Sequence, residues 1–323
     1  MINPNEYLNK IIHGGEITKQ EALMLYDTPL DELCNCADKI RKHFCSDKFD
    51  ICTIINAKSG KCSENCKYCA QSSFYNTCVE EYPLISPKEA AKQAKNNYNR
   101  GVLRFSIVTS GKKLSDSEIK KVCEIVTEIK KECNIQICVS GGLLDEEQFI
   151  KLRDAGVSRI HNNLETSEKN FPNICTTHTF NDKINAIKAA RKAGLAICSG
   201  GIMGTGESVE DRIDMAFTLK ELNINSVPLN MLNPIKGTPY ENLPTLTEQD
   251  MRRIAAVYRF ILPAASIRLA GGRGLMENKG YDCFKSGANA AITGDMLTTA
   301  GITIENDIAQ IKKMGYKREL CND

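Results

Sequence analysis

From residue 50 onward, short β-branched apolar runs alternate with longer stretches whose apolar positions recur every three to four residues. The short runs are ICTIINA (51–57), VLRFSIV (102–108), IQICVS (135–140), SRIHNNL (158–164), LAICSG (195–200), NSVPLNM (225–231), ASIRLA (265–270) and NAAIT (289–293). Between them, 86–99, 116–132, 145–155, 180–193, 208–221, 247–261 and 303–314 read as amphipathic helices. Several open on Ser, Asp or Thr, whose side chains accept a hydrogen bond from a first-turn N–H. Repeated strand–helix units predict an α/β fold, a (β/α)8 TIM-type barrel over 51–316, with a helical extension over 1–50 and a tail over 317–323. One connection strains the pattern: AGGRGLMENKG, after 265–270, is short for a full helix, so imperfect closure is expected there. In such barrels functional side chains sit at the C-terminal ends of strands and in the loops that follow, which gives a filter for motifs.

Composition narrows the function class. The chain has 42 basic and 40 acidic residues, so no global field gathers nucleic acid or an anionic membrane. No run of about 18 apolar residues occurs, and the opening MINPNEYLNKIIHGGEITKQ is polar. The expectation is a cytoplasmic enzyme of small molecules. Fifteen cysteines are about 5% of the chain, below the roughly 8–10% of disulfide scaffolds. An odd count in a long chain without a secretory signal points to thiolates kept for metal or catalysis.

Those thiolates concentrate after the first strand. SGKCSENCKYCAQSS places Cys62, Cys66 and Cys69 in a C-x3-C-x2-C arrangement within one loop, which suits an iron–sulfur cluster. Structural zinc is the competing reading, but it wants four N/S ligands, and neither a His nor a fourth Cys stands at knuckle spacing. A ferredoxin-type electron carrier would use four Cys per cluster, whereas three ligands leave one iron open.

C-x3-C-x2-C with an aromatic residue before the last Cys, here Tyr68, resembles the signature of the radical S-adenosylmethionine (SAM) superfamily. In that superfamily the open iron of a [4Fe–4S] cluster chelates SAM, and the reduced cluster cleaves it to an adenosyl radical. The likeness goes further. NAKSGKCSENCKYCAQSS, HNNLETS, CSGGIMGTGE, LNMLNPIKGTP, IRLAGGR and SGANAAITGD resemble biotin synthase segments in that family's order, over most of residues 50–300. The resemblance implies a homodimer that inserts sulfur between two unactivated carbons of dethiobiotin, one adenosyl radical per C–S bond, fed electrons by a flavodoxin or ferredoxin. It implies that the sulfur comes from an auxiliary cluster deep in the barrel. Carried over by residue, it assigns Tyr68, Asn163, Glu165, Gly200 and Gly201 to the cofactor, with Glu165 standing where the family more often has Asp, and Asn163 and Asn230 to the substrate's ureido group. Each Asn has a plainer alternative, satisfying loop backbone.

For the auxiliary cluster the family uses three strand cysteines and an arginine; Cys138, Cys198 and Arg268 match three of these four positions. At the fourth, the family's Arg-Phe-Cys is here Arg104-Phe105-Ser106, and a neutral serine is a poor iron ligand beside a thiolate. Cys52 lies where a member of the family carries Ser, and its side chain is expected to face the same cavity. The resemblance therefore implies a site rebuilt around Cys52, Cys138 and Cys198, with Arg268 as ligand or neighbouring charge. Three thiolates suit a four-iron cubane carrying an extra sulfide better than a two-iron cluster, and neutral packing of the exchanged residues is the third alternative. The rivals to this function are a hydrogenase-maturase-like radical SAM enzyme on the same barrel and a non-catalytic iron–sulfur electron carrier. The remaining cysteines (34, 36, 45, 78, 123, 133, 175, 283 and 321) lack ligand spacing and read as structural. His161 and His178 fall on the cofactor side by the strand filter, without a catalytic assignment.

Overall fold

A computed structural model describes residues 3–294 and 301–321. Asp295, the last residue of SGANAAITGD, lies outside them. Three helices come first, α1 (Pro4–Ile12), α2 (Lys19–Tyr26) and α3 (Leu30–Cys45). The strands β1 (Lys48–Lys58), β2 (Arg104–Thr109), β3 (Gln136–Ser140), β4 (Arg159–His161), β5 (Ala196–Cys198) with β6 (Gly201–Met203), β7 (Ser226–Met231), β8 (Ser266–Leu269) and β9 (Ala290–Ile292) then form one parallel sheet. The sheet closes by pairing of β9 with β1, Asp50 opposite Ala290 and Cys52 opposite Ile292. The structure is thus the (β/α)8 barrel its hydrophobic pattern predicts.

Two local expectations change. The run 195–200 continues past a break at Ser199–Gly200 into β6, which pairs with β7. Closure after 265–270 is complete, because two 3-10 turns, Arg273–Leu275 and Tyr281–Lys285, replace a full helix. Buried Arg273 anchors the first of them through paired bonds to Asp307, at 3.0 and 2.9 Å. A bidentate guanidinium–carboxylate pair fixes an orientation that an irregular connection cannot supply by itself.

Helices α4 (Pro87–Asn99), α5 (Asp116–Glu132), α6 (Glu146–Ala155), α8 (Phe180–Lys192), α9 (Val209–Glu221) and α10 (Glu248–Ile261) follow the strands, and α7 (Phe171–Ile174) is a single turn between β4 and α8. Ser115, Asp145, Thr179, Ser208 and Thr247 each cap a helix in a reciprocal capping box. Helix α3 packs on α10, and α2 on α9 and α10, so the N-terminal segment covers the outside of the helical ring. At the other terminus α11 (Ile304–Lys313) leads to the two-residue strand β10 (Lys317–Arg318), which pairs with the start of β1. No helix among the described residues is long and apolar enough to cross a membrane.

Candidate functional site

Side chains two residues apart on a strand share a face, so each barrel strand delivers a short inward column. The inward columns read Asp50 and Cys52 on β1, Arg104 and Ser106 on β2, Cys138 on β3, Arg159 and His161 on β4, Cys198 on β5 and Arg268 on β8. Apart from Asp50, these residues line one cavity of about 390 Å³ that runs up to the loop of Cys62, Tyr68 and Cys69.

The floor of this cavity is a buried charge layer. Arg268 Nη2 donates to Asp50 Oδ2 at 2.7 Å while its Nη1 donates to the carbonyls of Asp50 and Ala291, both at 3.2 Å. Arg159 Nη1 stands 3.9 Å from the same carboxylate oxygen. Burial pushes the Asp50 carboxyl up, but the charges of Arg268, Arg104 and Arg159 outweigh it and hold the group below the usual carboxylate range. All four side chains are at most 2% exposed, so the carboxylate and the three guanidinium groups that act on it all lie in the interior. Three guanidinium groups lining one buried cavity make it a favourable place for an anion.

The thiols line the same cavity. Burial pushes Cys52 up to about 11 and Cys138 up to about 12. Cys198 is buried too, yet its hydrogen bond with His161 and the charges of His161, Arg159 and Arg268 win, bringing it down to about 6. Ser226 Oγ also donates to Cys198 Sγ at 3.3 Å. Cys198 is therefore the thiol of this ring best prepared to bind as thiolate. The donor set suits an iron–sulfur cluster: soft sulfur ligands on rigid strands, with cationic groups lining the same cavity.

At the cavity mouth Cys62 and Cys69 line the wall with Tyr68, but Cys66 does not. The loop is tied by backbone bonds from Ser73 N to Cys62 O at 2.8 Å and from Cys69 N to Cys66 O at 3.0 Å. Among the described residues the Cys/His/Asp/Glu trio whose donor atoms all lie within 4.8 Å of one another is Cys66, Cys175 and His178. Two of the motif thiols thus meet the cavity and the third faces a neighbouring segment. As a donor set for a cluster with one open iron, three thiols in one eight-residue loop are chemically apt.

Opposite the loop, Asn163 Nδ2 donates to Glu165 Oε2 at 3.3 Å and Asn163 Oδ1 accepts from Gly200 N at 3.0 Å. Glu165 has φ +73°, a left-handed conformation uncommon for a non-glycine residue, held by bonds from its N to Gly200 O and from Ile202 N to its O. Burial and then the neighbouring Glu165 push the Tyr68 phenol well up, so it stays a neutral donor. Asn230 bridges two loops: its Nδ2 donates to Gly201 O at 3.1 Å and its Oδ1 accepts from Gly271 N at 2.9 Å. Asn163, Glu165 and Asn230 all line the cavity, whereas Gly200 and Gly201 do not. Their reason for being glycine is internal packing. A Cβ on Gly200 would sit 2.0 Å from Pro228 O, and one on Gly201 would sit 2.4 Å from Glu165 O.

Sequence reasoning placed His161 and His178 on the cofactor side without a role, and missed the pairing of Cys175 with His178. His161 was legible as an inward neighbour of Arg159 two residues on. Cys175 and His178 carry a C-x2-H spacing in the loop after the fourth strand, but their partners Glu64 and Cys66 are over 100 residues away in sequence. Of the nine cysteines outside the motif and the strand ring, none lines the cavity.

Comparison with known proteins gives consistent results. The Radical SAM superfamily model matches residues 57–219, and the Biotin and Thiamin Synthesis associated domain matches 228–317. The chain is 60% identical to the biotin synthase of Brachyspira hyodysenteriae over 322 residues, covering 100% of this chain and 97% of the relative. It is 53% identical to that of Akkermansia muciniphila, covering 96% and 97%. Among solved structures, methylornithine synthase superposes with a TM-score of 0.83 at 20% identity, covering 97% of each chain. The [FeFe]-hydrogenase maturase HydG from Carboxydothermus hydrogenoformans superposes with 0.81 at 19%, covering 99% of this chain and 81% of the maturase. At such identities these two establish likeness of fold alone.

Proposed function

The chain belongs to the biotin synthase family of radical SAM enzymes, and from that premise we propose where each part of its chemistry sits. It is an enzyme that inserts sulfur into dethiobiotin to form biotin, using SAM, a [4Fe–4S] cluster and an auxiliary iron–sulfur cluster. When bound, the [4Fe–4S] cluster and SAM supply the radical chemistry that opens unactivated C–H bonds, and the auxiliary cluster supplies sulfur.

In our reading Cys62, Cys66 and Cys69 hold the [4Fe–4S] cluster. Glu165 binds the SAM ribose, as carboxylates commonly bind diols, and Tyr68 packs beside the adenine. Asn163 and Asn230 orient the ureido group of dethiobiotin. Each amide has its own backbone bond, so its remaining donor or acceptor capacity meets substrate from a fixed position. Gly200 and Gly201 act at one remove, by letting β6 approach Pro228 and Glu165 closely enough to set that position.

The auxiliary cluster is held by Cys52, Cys138 and Cys198. The observation that carries this reading is that three inward thiols, Cys52, Cys138 and Cys198, line one buried cavity together with the guanidinium groups of Arg104, Arg159 and Arg268. Arg268 has both terminal nitrogens engaged with Asp50 and Ala291, which supports a role as a charge beside the cluster rather than as an iron ligand. With Ser106 on the wall in place of a thiolate, three cysteines favour a four-iron cluster whose fourth iron carries a sulfide over a two-iron cluster. The enzyme acts as a cytoplasmic homodimer reduced by flavodoxin or ferredoxin, with residues 51–316 forming the catalytic barrel.

The test is anaerobic turnover with dethiobiotin, SAM and a low-potential reductant, which yields biotin. Asn230→Ala is expected to raise the KM for dethiobiotin at least ten-fold while leaving SAM binding unchanged. Equal loss of SAM and dethiobiotin binding would remove Asn230 from the substrate side.

A further inference from the structure

Outside the cavity, residues 64–66 and 174–178 form a built donor site. Asn65 Oδ1 accepts from the backbone N–H of Thr176 at 2.9 Å and of Thr177 at 3.3 Å, and Asn65 N donates to Thr177 Oγ1 at 3.1 Å. Thr177 Oγ1 in turn donates to Glu64 Oε2 at 2.8 Å, and Lys67 N donates to Ile174 O at 2.9 Å. The two loops are thereby clamped together, and the clamp brings Cys66, Cys175 and His178 to within 4.8 Å of one another. Donors of a tetrahedral ion bound to sulfur and imidazole stand about 3.3–3.8 Å apart, so closing on an ion needs at most roughly an ångström of movement.

His178 is held beside these sulfurs by two neighbours. Its Nδ1 lies 2.6 Å from Glu64 Oε2, and its ring packs edge-on against Phe171 with centroids 5.5 Å apart. With Glu64 on Nδ1, Nε2 is the nitrogen left for a metal, the carboxylate–histidine–metal arrangement that fixes ring and tautomer together. Cys175 Sγ lies 3.3 Å from Nδ1 and 3.9 Å from Nε2, so a small rotation of the ring brings Nε2 to the two sulfurs. Two sulfurs and one imidazole select a borderline-soft divalent ion such as Fe²⁺ or Zn²⁺ over Mg²⁺ or Ca²⁺.

We propose that Cys66, Cys175 and His178 form a mononuclear site for a soft divalent ion in the cluster-free protein, with Glu64 orienting the histidine. The site shares Cys66 with the C-x3-C-x2-C motif, so it and the [4Fe–4S] cluster exclude each other. The donor trio stands on its own geometry; only the exclusion rests on the proposed cluster role of Cys66. No redox step is involved: the ion displaces thiol protons to solvent and takes two thiolates and one neutral imidazole.

The test is Co²⁺ titration of the full-length chain freed of iron under anaerobic conditions, read by thiolate-to-cobalt charge transfer and tetrahedral d–d absorption. Relative to wild type, Cys175→Ala and His178→Ala are expected to lose one equivalent, while Cys62→Ala and Cys69→Ala keep it. His178→Cys restores binding with a stronger charge-transfer band, a gain that a merely structural role for His178 does not produce. Zn²⁺ added before cluster reconstitution slows appearance of the [4Fe–4S] signal in wild type but not in Cys175→Ala. If Cys62→Ala or Cys69→Ala loses the equivalent as completely as Cys175→Ala, the ion sits in the motif and the proposal fails. If Cys175→Ala and His178→Ala both bind as wild type does, there is no such site. Equal slowing by Zn²⁺ in wild type and Cys175→Ala overturns the exclusion while leaving the cobalt result to decide the site.

Discussion

Two groups of cysteines share one barrel and are built in opposite ways. Cys62, Cys66 and Cys69 sit on a loop, within eight residues, one of them turned away from the cavity toward Cys175 and His178. Cys52, Cys138 and Cys198 come from three strands, buried, each held by sheet pairing and lining the cavity with Arg104, Arg159 and Arg268. A loop lets a ligand set assemble from contiguous residues and leaves it adaptable. Strands impose position, and the electrostatics must then be supplied by other strands. The mouth site thus owes its chemistry to local sequence, and the interior site owes its chemistry to topology.

That contrast can be broken in order of severity. Cys62→Ala or Cys69→Ala should abolish both SAM cleavage and biotin formation and remove the [4Fe–4S] signal, since a three-ligand cluster has no spare ligand; both product assays and electron paramagnetic resonance check it. Survival of SAM cleavage would mean that the loop is not the SAM site. Asp50→Asn should be next, because it removes the buried carboxylate that Arg268 bonds; a cost of about 3–5 kcal/mol is expected, read as a lower unfolding midpoint. An unchanged midpoint would show that the floor is already balanced.

Arg268→Met separates charge from ligation. It should weaken retention of the auxiliary iron by roughly 10–100-fold, the usual effect of removing a group that supports metal ligands, without changing cluster type. A changed Mössbauer signature would make Arg268 a ligand instead. The mildest change is Ser106→Cys. Ser106 already lines the cavity, so the variant should fold, with a stability change below about 1.5 kcal/mol, and gain a fourth thiol. Paired with Cys52→Ser, it is expected to convert the auxiliary cluster toward two irons, which iron counting reads directly.

Legibility followed the same divide. The barrel was readable because eight apolar runs repeat at strand spacing, and the loop motif because three cysteines lie side by side. The weak seventh connection was misjudged: Arg273 and Asp307 are 34 residues apart, and no local pattern announces that they pair. The inward facing of Cys52 was reached through resemblance, not through spacing, since period-two alternation does not say which face of a strand is interior. The Asp50–arginine floor went unnoticed for a related reason. A charged residue inside an apolar strand reads as an irregularity until its counter-charges from other strands stand beside it. Cys175 reads as structural and His178 as a cofactor-side residue without a role, because their partners come from a loop more than 100 residues earlier.

The most direct test of two separately built sites is Mössbauer spectroscopy with iron and sulfide analysis on anaerobically purified protein, comparing wild type with Cys52→Ala and Cys62→Ala. Two clusters are expected in wild type. Cys52→Ala should lose the auxiliary four-iron component and biotin formation while SAM cleavage survives, and Cys62→Ala should lose only the other cluster. A single cluster in wild type, or a Cys52→Ala variant with unchanged iron and activity, would contradict the interior site.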